Sequence, residues 1–389
     1  MARRAAPPPD APRLPPDVVA RLREELPGTA ERVVAGITAD VPSYRTALAG
    51  PMGMAIRDAV QTALGGFLSL ASGRVRRAGG DPRTPTASAV EGAYQLGRGE
   101  ARSGRSTDAL LAAYRIGARI SWRELSTIAV REGLDPAQVA AFAELIFAFI
   151  DELSAASAAG HADELAESDR QRRELLDRLT RLLLEDGPAE TVLDLAGRAE
   201  WPLPHTLTAV AVPPAQVRPV LAVVPATTLV LAEAPGGPDA VLLVPDLDER
   251  GRAALLRTAA DRGCVVGPPR PWAEASASWQ RVARARDLGL TGDTDEHLVA
   301  LVLAADAAAR DDLRRRVLAP LDGLRPASVE RLVETLRAWL LHQGRREDVA
   351  AALFVHPQTV RYRMQQLRER YGEALDDPAT VLALVVALG

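Results

Sequence analysis

The sequence predicts a multi-domain, mainly α-helical chain, with a small α/β domain in its middle and an all-α domain at its C-terminal end. Three observations carry that expectation. At 389 residues the chain exceeds one ordinary domain, and roughly 150 residues per domain suggests about two or three. Apolar residues recur at helical spacing through residues 17–160, and again in short segments from residue 326. The runs that read as strands all fall between residues 190 and 290. With 47% hydrophobic and 25% charged residues the chain can build a core, which excludes wholesale disorder. A formal net charge of -4 is no chain-wide signature of polyanion binding, so any contact with nucleic acid has to come from a local patch. The single cysteine, Cys264, excludes a disulfide framework and a Cys-based zinc site, and is expected to be a small buried residue.

Taken in order, residues 1–16 are Pro-rich, with Pro7, Pro8 and Pro9, and are expected to be a disordered tail without the apolar core of a secretory signal. The longest strongly apolar stretches, 139–150 and 381–389, fall short of the ~18 residues that a spanning helix needs, so a cytoplasmic location is expected. Residues 17–160 read as a helical domain. Segment 57–70 places Val60, Ala63, Leu64, Phe67 and Leu68 on one stripe, and 108–128 continues with Leu111, Tyr114, Ala118 and Trp122. Breaks are expected at 79–82 and 133–136, with Asp135 as N-cap and Pro136 in the first turn of a helix, 137–157. That helix is apolar on most faces and so belongs inside a bundle. Residues 161–186 form a charged helical linker. Several of Leu165, Leu175, Leu176, Leu179, Leu182 and Leu183 recur at spacings of three, four and seven, interrupted by Ser168 and Arg172. The pattern fits a short coiled coil between two chains or a solvated connector helix. In the middle domain, 187–290, the runs 207–212, 228–232, 240–244 and 264–266 read as strands, with helices over 247–261 and 272–288. A helical connector, 291–325, leads to the last domain, 326–389.

This last domain is the most informative. Residues 328–341 form an amphipathic helix with Leu332, Leu336 and Leu340 four apart, closed by Gly344. A short helix, 346–353, a tight turn, Phe354-Val355-His356, and a third helix opened by Pro357 are the parts of a helix-turn-helix. On the third helix Val360, Met364 and Leu367 form the core stripe. Gln358, Thr359, Tyr362, Gln365 and Gln366 face away, and Arg361 and Arg363 flank the stripe. An amide, hydroxyl and aromatic face bordered by guanidinium groups is what reading the major groove of double-stranded DNA requires. Residues 357–371 hold Arg361, Arg363, Arg368 and Arg370 against Glu369 alone, a local excess of positive charge in an acidic chain. The expected DNA-binding residues are Gln358, Thr359, Arg361, Tyr362 and Arg363, on a recognition helix over 357–367. At least a dimer is expected, because two half-sites raise affinity, with Leu175, Leu179, Leu182 and the helix from 137 as its seam.

The run 348–364, with Val355-His356 followed by Thr359-Val360-Arg361-Tyr362-Arg363, resembles the C-terminal helix-turn-helix of the PucR/CdaR family of bacterial regulators, as do Leu375-Asp376-Asp377-Pro378 and the final apolar helix. The resemblance covers 326–389. It departs at Pro357-Gln358, where the family more usually shows Arg or Pro followed by Asn, which alters the base edge read and not the module. Leu96-Gly97-Arg98, Glu100-Ala101-Arg102, Gly104-Arg105-Ser106 and the run 110–119 resemble the helical N-terminal domain of actinobacterial PucR-type regulators. That domain is similar to the N-terminal domain of RsbR stress proteins, a globin-like fold without haem. The middle segment, notably from Val266-Gly267 to Ala285, is similar to a degenerate GGDEF-like domain. The resemblance implies a transcriptional regulator, a sensory or oligomerising first domain, and room for a small-molecule effector. A signalling scaffold of the stress-protein type that does not bind DNA is the other reading, and a nucleotide cyclase a third.

Enzymatic chemistry finds little support. A cyclase needs acidic residues after its glycine pair, and Gly236-Gly237-Pro238-Asp239 reads as a hairpin turn instead. Haem needs an axial ligand. Residues 17–160 contain neither His nor Cys, Met52 and Met54 lie in a Gly- and Pro-rich break, and His161 is expected to face solvent. His161, His205, His297, His342 and His356 show no metal-ligand spacing. The chain is therefore expected not to be an enzyme and to hold no metal or cofactor.

Overall fold

A computed structural model describes residues 14–45, 51–72 and 87–389, and the chain divides into two compact units, Met1–Arg172 and Arg173–Gly389. The break expected at 79–82 lies outside the described residues, as does the tail up to residue 13. Residues 14–16, expected to belong to the tail, are structured. Leu14 is buried, its N–H donates to the Ala71 carbonyl, and Pro16 opens the first helix.

The first unit is helical: α1 (Pro16–Glu24), α2 (Leu26–Asp40), α3 (Pro51–Ala71), α4 (Ala87–Arg102), α5 (Thr107–Arg131) and the first part of α6 (Pro136–Leu184). Met52 and Met54 belong to α3, not to a break. Ser106 caps α5 by accepting from the Ala109 N–H, and Asp135 accepts from the Gln138 N–H at the start of α6. Phe67, Phe142 and Phe149 meet at the centre, with ring centroids 5.5 Å apart in the pairs Phe67–Phe142 and Phe67–Phe149. Between α4 and α6 the backbones touch. A Cβ on Gly97 would lie 1.9 Å from the Ser157 carbonyl oxygen, and one on Gly160 would lie 2.1 Å from that of Tyr94.

Gly160 does not interrupt α6, so position 161 falls on its inner face. His161 is buried, contrary to the solvent-facing position expected from its neighbouring glycine. Its Nε2 lies 2.7 Å from the Arg105 carbonyl oxygen and its Nδ1 3.1 Å from the Thr107 hydroxyl. Three residues on, Glu164 accepts from Arg98 and Arg102, and these guanidinium groups hold its carboxyl well down, at about 2.

The second unit begins with the end of α6, where the coiled-coil seam has to be corrected. Leu179, Leu183 and Leu184 are buried in the core of their own chain, with Leu175, Leu176 and Leu182 packed beside them. Heptad-like spacing reports an apolar face and does not say what covers it. The helix from 137 is used in the same way, with Phe142, Leu145, Ile146 and Phe149 inside the first unit's core.

Next come α7 (Ala189–Arg198), β1 (Thr206–Val212), α8 (Val217–Leu221), β2 (Leu229–Leu231), β3 (Ala240–Pro245), α9 (Glu249–Ala259), β4 (Val265–Pro271), α10 (Ala275–Asp287) and β5 (Gly292–Asp293). The sheet order is β2-β3-β1-β4-β5, antiparallel except for the β4–β5 pair. Strand alternation splits the core. Leu207, Ala209 and Ala211 pack with α6, α7 and α10, and Val210 and Val212 face a second cluster with Val220 of α8 and Leu255 of α9. The turn between β2 and β3 is the hairpin read at 236–239, with Gly236 at φ 85°.

β4 runs past the prolines that seemed to end it at Val266. Prolines enter a strand at an irregularity, and the register with β1 shifts between Thr208 and Val210. There the buried Ser278 hydroxyl accepts from the Ala209 N–H (3.0 Å) and donates to the Pro268 carbonyl (2.7 Å), so both groups find partners. Cys264 is buried beside β4, and burial pushes its thiol up.

α11 (Leu298–Leu303) and α12 (Ala307–Leu318) lead to α13 (Pro326–Leu341), α14 (Arg346–Ala352), α15 (Pro357–Tyr371) and α16 (Pro378–Leu388). Among the described residues no helix is long and apolar enough to cross a membrane.

Candidate nucleic-acid interface

The candidate interface rests on α14, its turn and α15. α14 ends because Phe354 takes the left-handed conformation, φ 53°. The Val355 N–H then donates to the Ala350 carbonyl and the Phe354 N–H to that of Ala351, which closes the helix as a Schellman turn. Glycine usually fills this position, and a side chain there costs about 1–2 kcal/mol. Phe354 gains nothing back by burial, being 96% exposed. His356 then caps α15, with Nδ1 accepting from the Gln358 N–H at 3.2 Å, and Pro357 takes the first turn.

α15 buries Val360, Met364 and Leu367 against α13, α14 and α16, on the stripe that the spacing indicates. Tyr371, outside that stripe as read, belongs to it as well. The helix runs one turn beyond residue 367, and the Tyr371 hydroxyl donates to the Val317 carbonyl at 2.7 Å. Burial pushes this phenol up to about 12. Tyr371→Phe leaves that carbonyl without its partner and is expected to cost about 1–3 kcal/mol, read as a lower urea midpoint of the full chain by circular dichroism.

The five expected contact residues do not share one environment. Gln358, Arg361 and Tyr362 are exposed. The Tyr362 hydroxyl accepts from Gln366 Nε2 at 3.1 Å, which leaves its ring standing out from the helix. Thr359 is half-buried. Arg363 turns inward, where Nη1 donates to the Thr335 hydroxyl of α13 at 3.2 Å, so its guanidinium braces the domain. Further along, Arg368 lies over the Trp339 ring at 5.9 Å and Gln365 donates to Glu369, while Arg370 is exposed. Sequence reading did not single out Phe354, since an aromatic between Leu353 and Val355 carries no mark of an exposed turn residue. Among the described residues no group of three or more His, Cys, Asp or Glu side chains is placed to hold a metal ion.

Comparisons with known proteins bear on both ends of the chain. Residues 27–176 match the family model for the RsbT co-antagonist protein rsbRD N-terminal domain, and residues 332–389 match that for the PucR C-terminal helix-turn-helix domain. Uncharacterized proteins of Mycobacterium tuberculosis and Mycobacterium bovis are 34% identical over 141 residues, 34% of this chain and 33% of theirs. The chain thus spans about a third of the length of these curated relatives. An uncharacterized protein of Thermomonospora curvata is 38% identical over 74 residues, 19% of this chain and 41% of its own. The crystal structure of a regulator of polyketide synthase expression from Bifidobacterium adolescentis is similar at 22% identity and a TM-score of 0.30, covering 55% of this chain and 91% of that one. The chain thus carries an RsbRD-type helical domain towards one end and a PucR-type helix-turn-helix domain at the other.

Proposed function

We propose that the chain is a sequence-specific DNA-binding transcription regulator whose α15 enters the major groove. The observation that carries this is the outer face of α15. Gln358, Arg361 and Tyr362 stand exposed on a helix whose opposite stripe is sealed into the core of a PucR-type domain. Gln358 in the first turn reaches base edges, as glutamine does for adenine, and Arg361 at the border meets phosphate. Arg363, tied to Thr335, acts through the fold, and Thr359 supports the edge of the face. The protein works as a homodimer in the cytoplasm, on two half-sites, through a surface other than Leu175, Leu179 and Leu182 of α6, which pack within the chain.

The N-terminal domain, read as globin-like, and the middle domain, read as degenerate GGDEF-like, pass an effector signal to the last one. The absence of cyclase chemistry is supported at the hairpin. Asp239, the acidic residue after the glycine pair, lies 3.6 Å from Arg286 and is engaged as its ion pair.

The test is a salt-titrated binding assay of the full chain on random DNA and on a site recovered by genome-wide mapping. Gln358→Ala is expected to cost about 1–3 kcal/mol on the specific site and little on random DNA. Arg361→Ala is expected to weaken both alike and to flatten the slope of log affinity against log salt by about one. Both variants should fold as the parent does. Wild-type chain with no salt-dependent DNA binding would favour the scaffold reading. Equal specific affinity for parent and both variants would remove α15 as the reader.

A further inference from the structure

The N-terminal unit contains a cavity of about 420 Å³, lined from all of α2 to α6. Protein interiors leave few voids larger than a water molecule, whose share of liquid volume is about 30 Å³, so this is no packing defect. Its size lies in the range of small-molecule sites, roughly 300–1,000 Å³. The walls are hydrocarbon: Ile37 of α2, Phe67 of α3, Leu96 of α4, Leu110 of α5, and Phe149 and Leu153 of α6.

The polar groups on the lining narrow what fits. Glu100 is its charged residue, 2% exposed, and its oxygens are already taken. Oε2 accepts from the Tyr44 hydroxyl at 2.6 Å and from Arg105 Nε at 2.5 Å, and Oε1 accepts from Arg105 Nη2 at 3.0 Å. Burial and the Glu100 carboxylate hold the Tyr44 phenol far above its ordinary range, so it stays a donor and adds no charge. Tyr114 is committed to Ser157, whose own hydroxyl donates to the Ala93 carbonyl. Ser121 differs. It is buried on the lining, whereas the other Ser and Thr residues there, Thr62 and Ser88, are exposed. An ionic ligand would lose its hydration and find no counter-charge. The lining has no His, Cys or Met, so a metalloporphyrin has no axial ligand there.

We infer that this cavity binds a neutral, largely hydrocarbon small molecule whose one polar group hydrogen-bonds to the Ser121 hydroxyl. The inference stands apart from the DNA-binding reading, because its test involves no DNA.

The test titrates the full chain with N-phenyl-1-naphthylamine, a neutral aryl amine that fluoresces in apolar surroundings. The expected result is saturable binding of one probe per chain, with the anionic relative 1-anilinonaphthalene-8-sulfonate at least tenfold weaker. Gly92 lines the cavity, and a Cβ there meets nothing within 4 Å. Gly92→Phe is therefore expected to fill the space and weaken the probe tenfold or more, with the melting temperature no lower, since phenylalanine is the better helix former. Gly99→Phe, on the same helix and equally open but off the lining, should bind as the parent does. Should Gly92→Phe fail to fold by circular dichroism, Ala113→Leu on the facing helix decides in the same way. No saturable binding by the parent, undiminished binding by the folded blocking variant, or preference for the anionic probe would overturn the inference.

Discussion

Gly97→Ala is expected to lower the stability of the N-terminal unit by about 3 kcal/mol or more, the upper end of what overpacking costs. In most helices the exchange of glycine for alanine gains ~0.5–1 kcal/mol. Here the added methyl would lie 1.9 Å from the Ser157 carbonyl oxygen and 2.7 Å from its carbon. The obstacle is backbone, which cannot swing away as a side-chain tip can. From the other side, a Cβ added at Gly160 would lie 2.1 Å from the Tyr94 carbonyl oxygen, so the two helices cross closely at both points. Calorimetry of the full chain should show the transition of this unit falling by roughly 6–12 °C. Gly99→Ala, on the same helix with nothing within 4 Å, is the control and should not lower it. Equal melting of parent and Gly97→Ala would mean that α4 and α6 do not cross this closely.

Leu367→Ala is expected to cost the C-terminal domain about 2–5 kcal/mol, a transfer loss plus the cavity left behind. Leu367 is fully buried between Val360, Met364 and the neighbouring helices, and its position on α15 is opposite the exposed face. The contrast with Gln358→Ala and Arg361→Ala is the informative part, since surface changes stay within ~0.5 kcal/mol. Urea unfolding of the full chain, followed by circular dichroism, should separate the two classes. If Leu367→Ala unfolded at the parent's midpoint, the inner and outer faces of α15 would be misassigned.

The stripe on α15 was legible because helical period alone places Val360, Met364 and Leu367 together. Other features depended on what the chain packs against. Arg363 sits at the flank of the stripe, and only the position of Thr335 decides that it points inward. The α6 leucines announced an apolar face truthfully, but a periodic pattern is the same whether its cover is another chain or the sheet of its own. β4 was cut short because proline lacks an N–H, and the Ser278 side chain that compensates lies in a different element. β5 has two residues and no apolar signal at all. The cavity draws its lining from five helices, which no linear pattern assembles.

The buried position of Cys264 has a kinetic consequence. Its thiol is the only one in the chain, it is fully covered, and its main-chain carbonyl accepts the N–H of Gly292 at the start of β5. A modifying reagent or oxidant therefore has no target until the cluster around it, with Val220 of α8 and Leu255 of α9, parts from the sheet. The labelling rate is the fraction of time that cluster stands open multiplied by the intrinsic reactivity of the thiol. The chain so carries a native clock for the breathing of its middle domain, one that runs without any introduced label and stays silent while the sheet is closed.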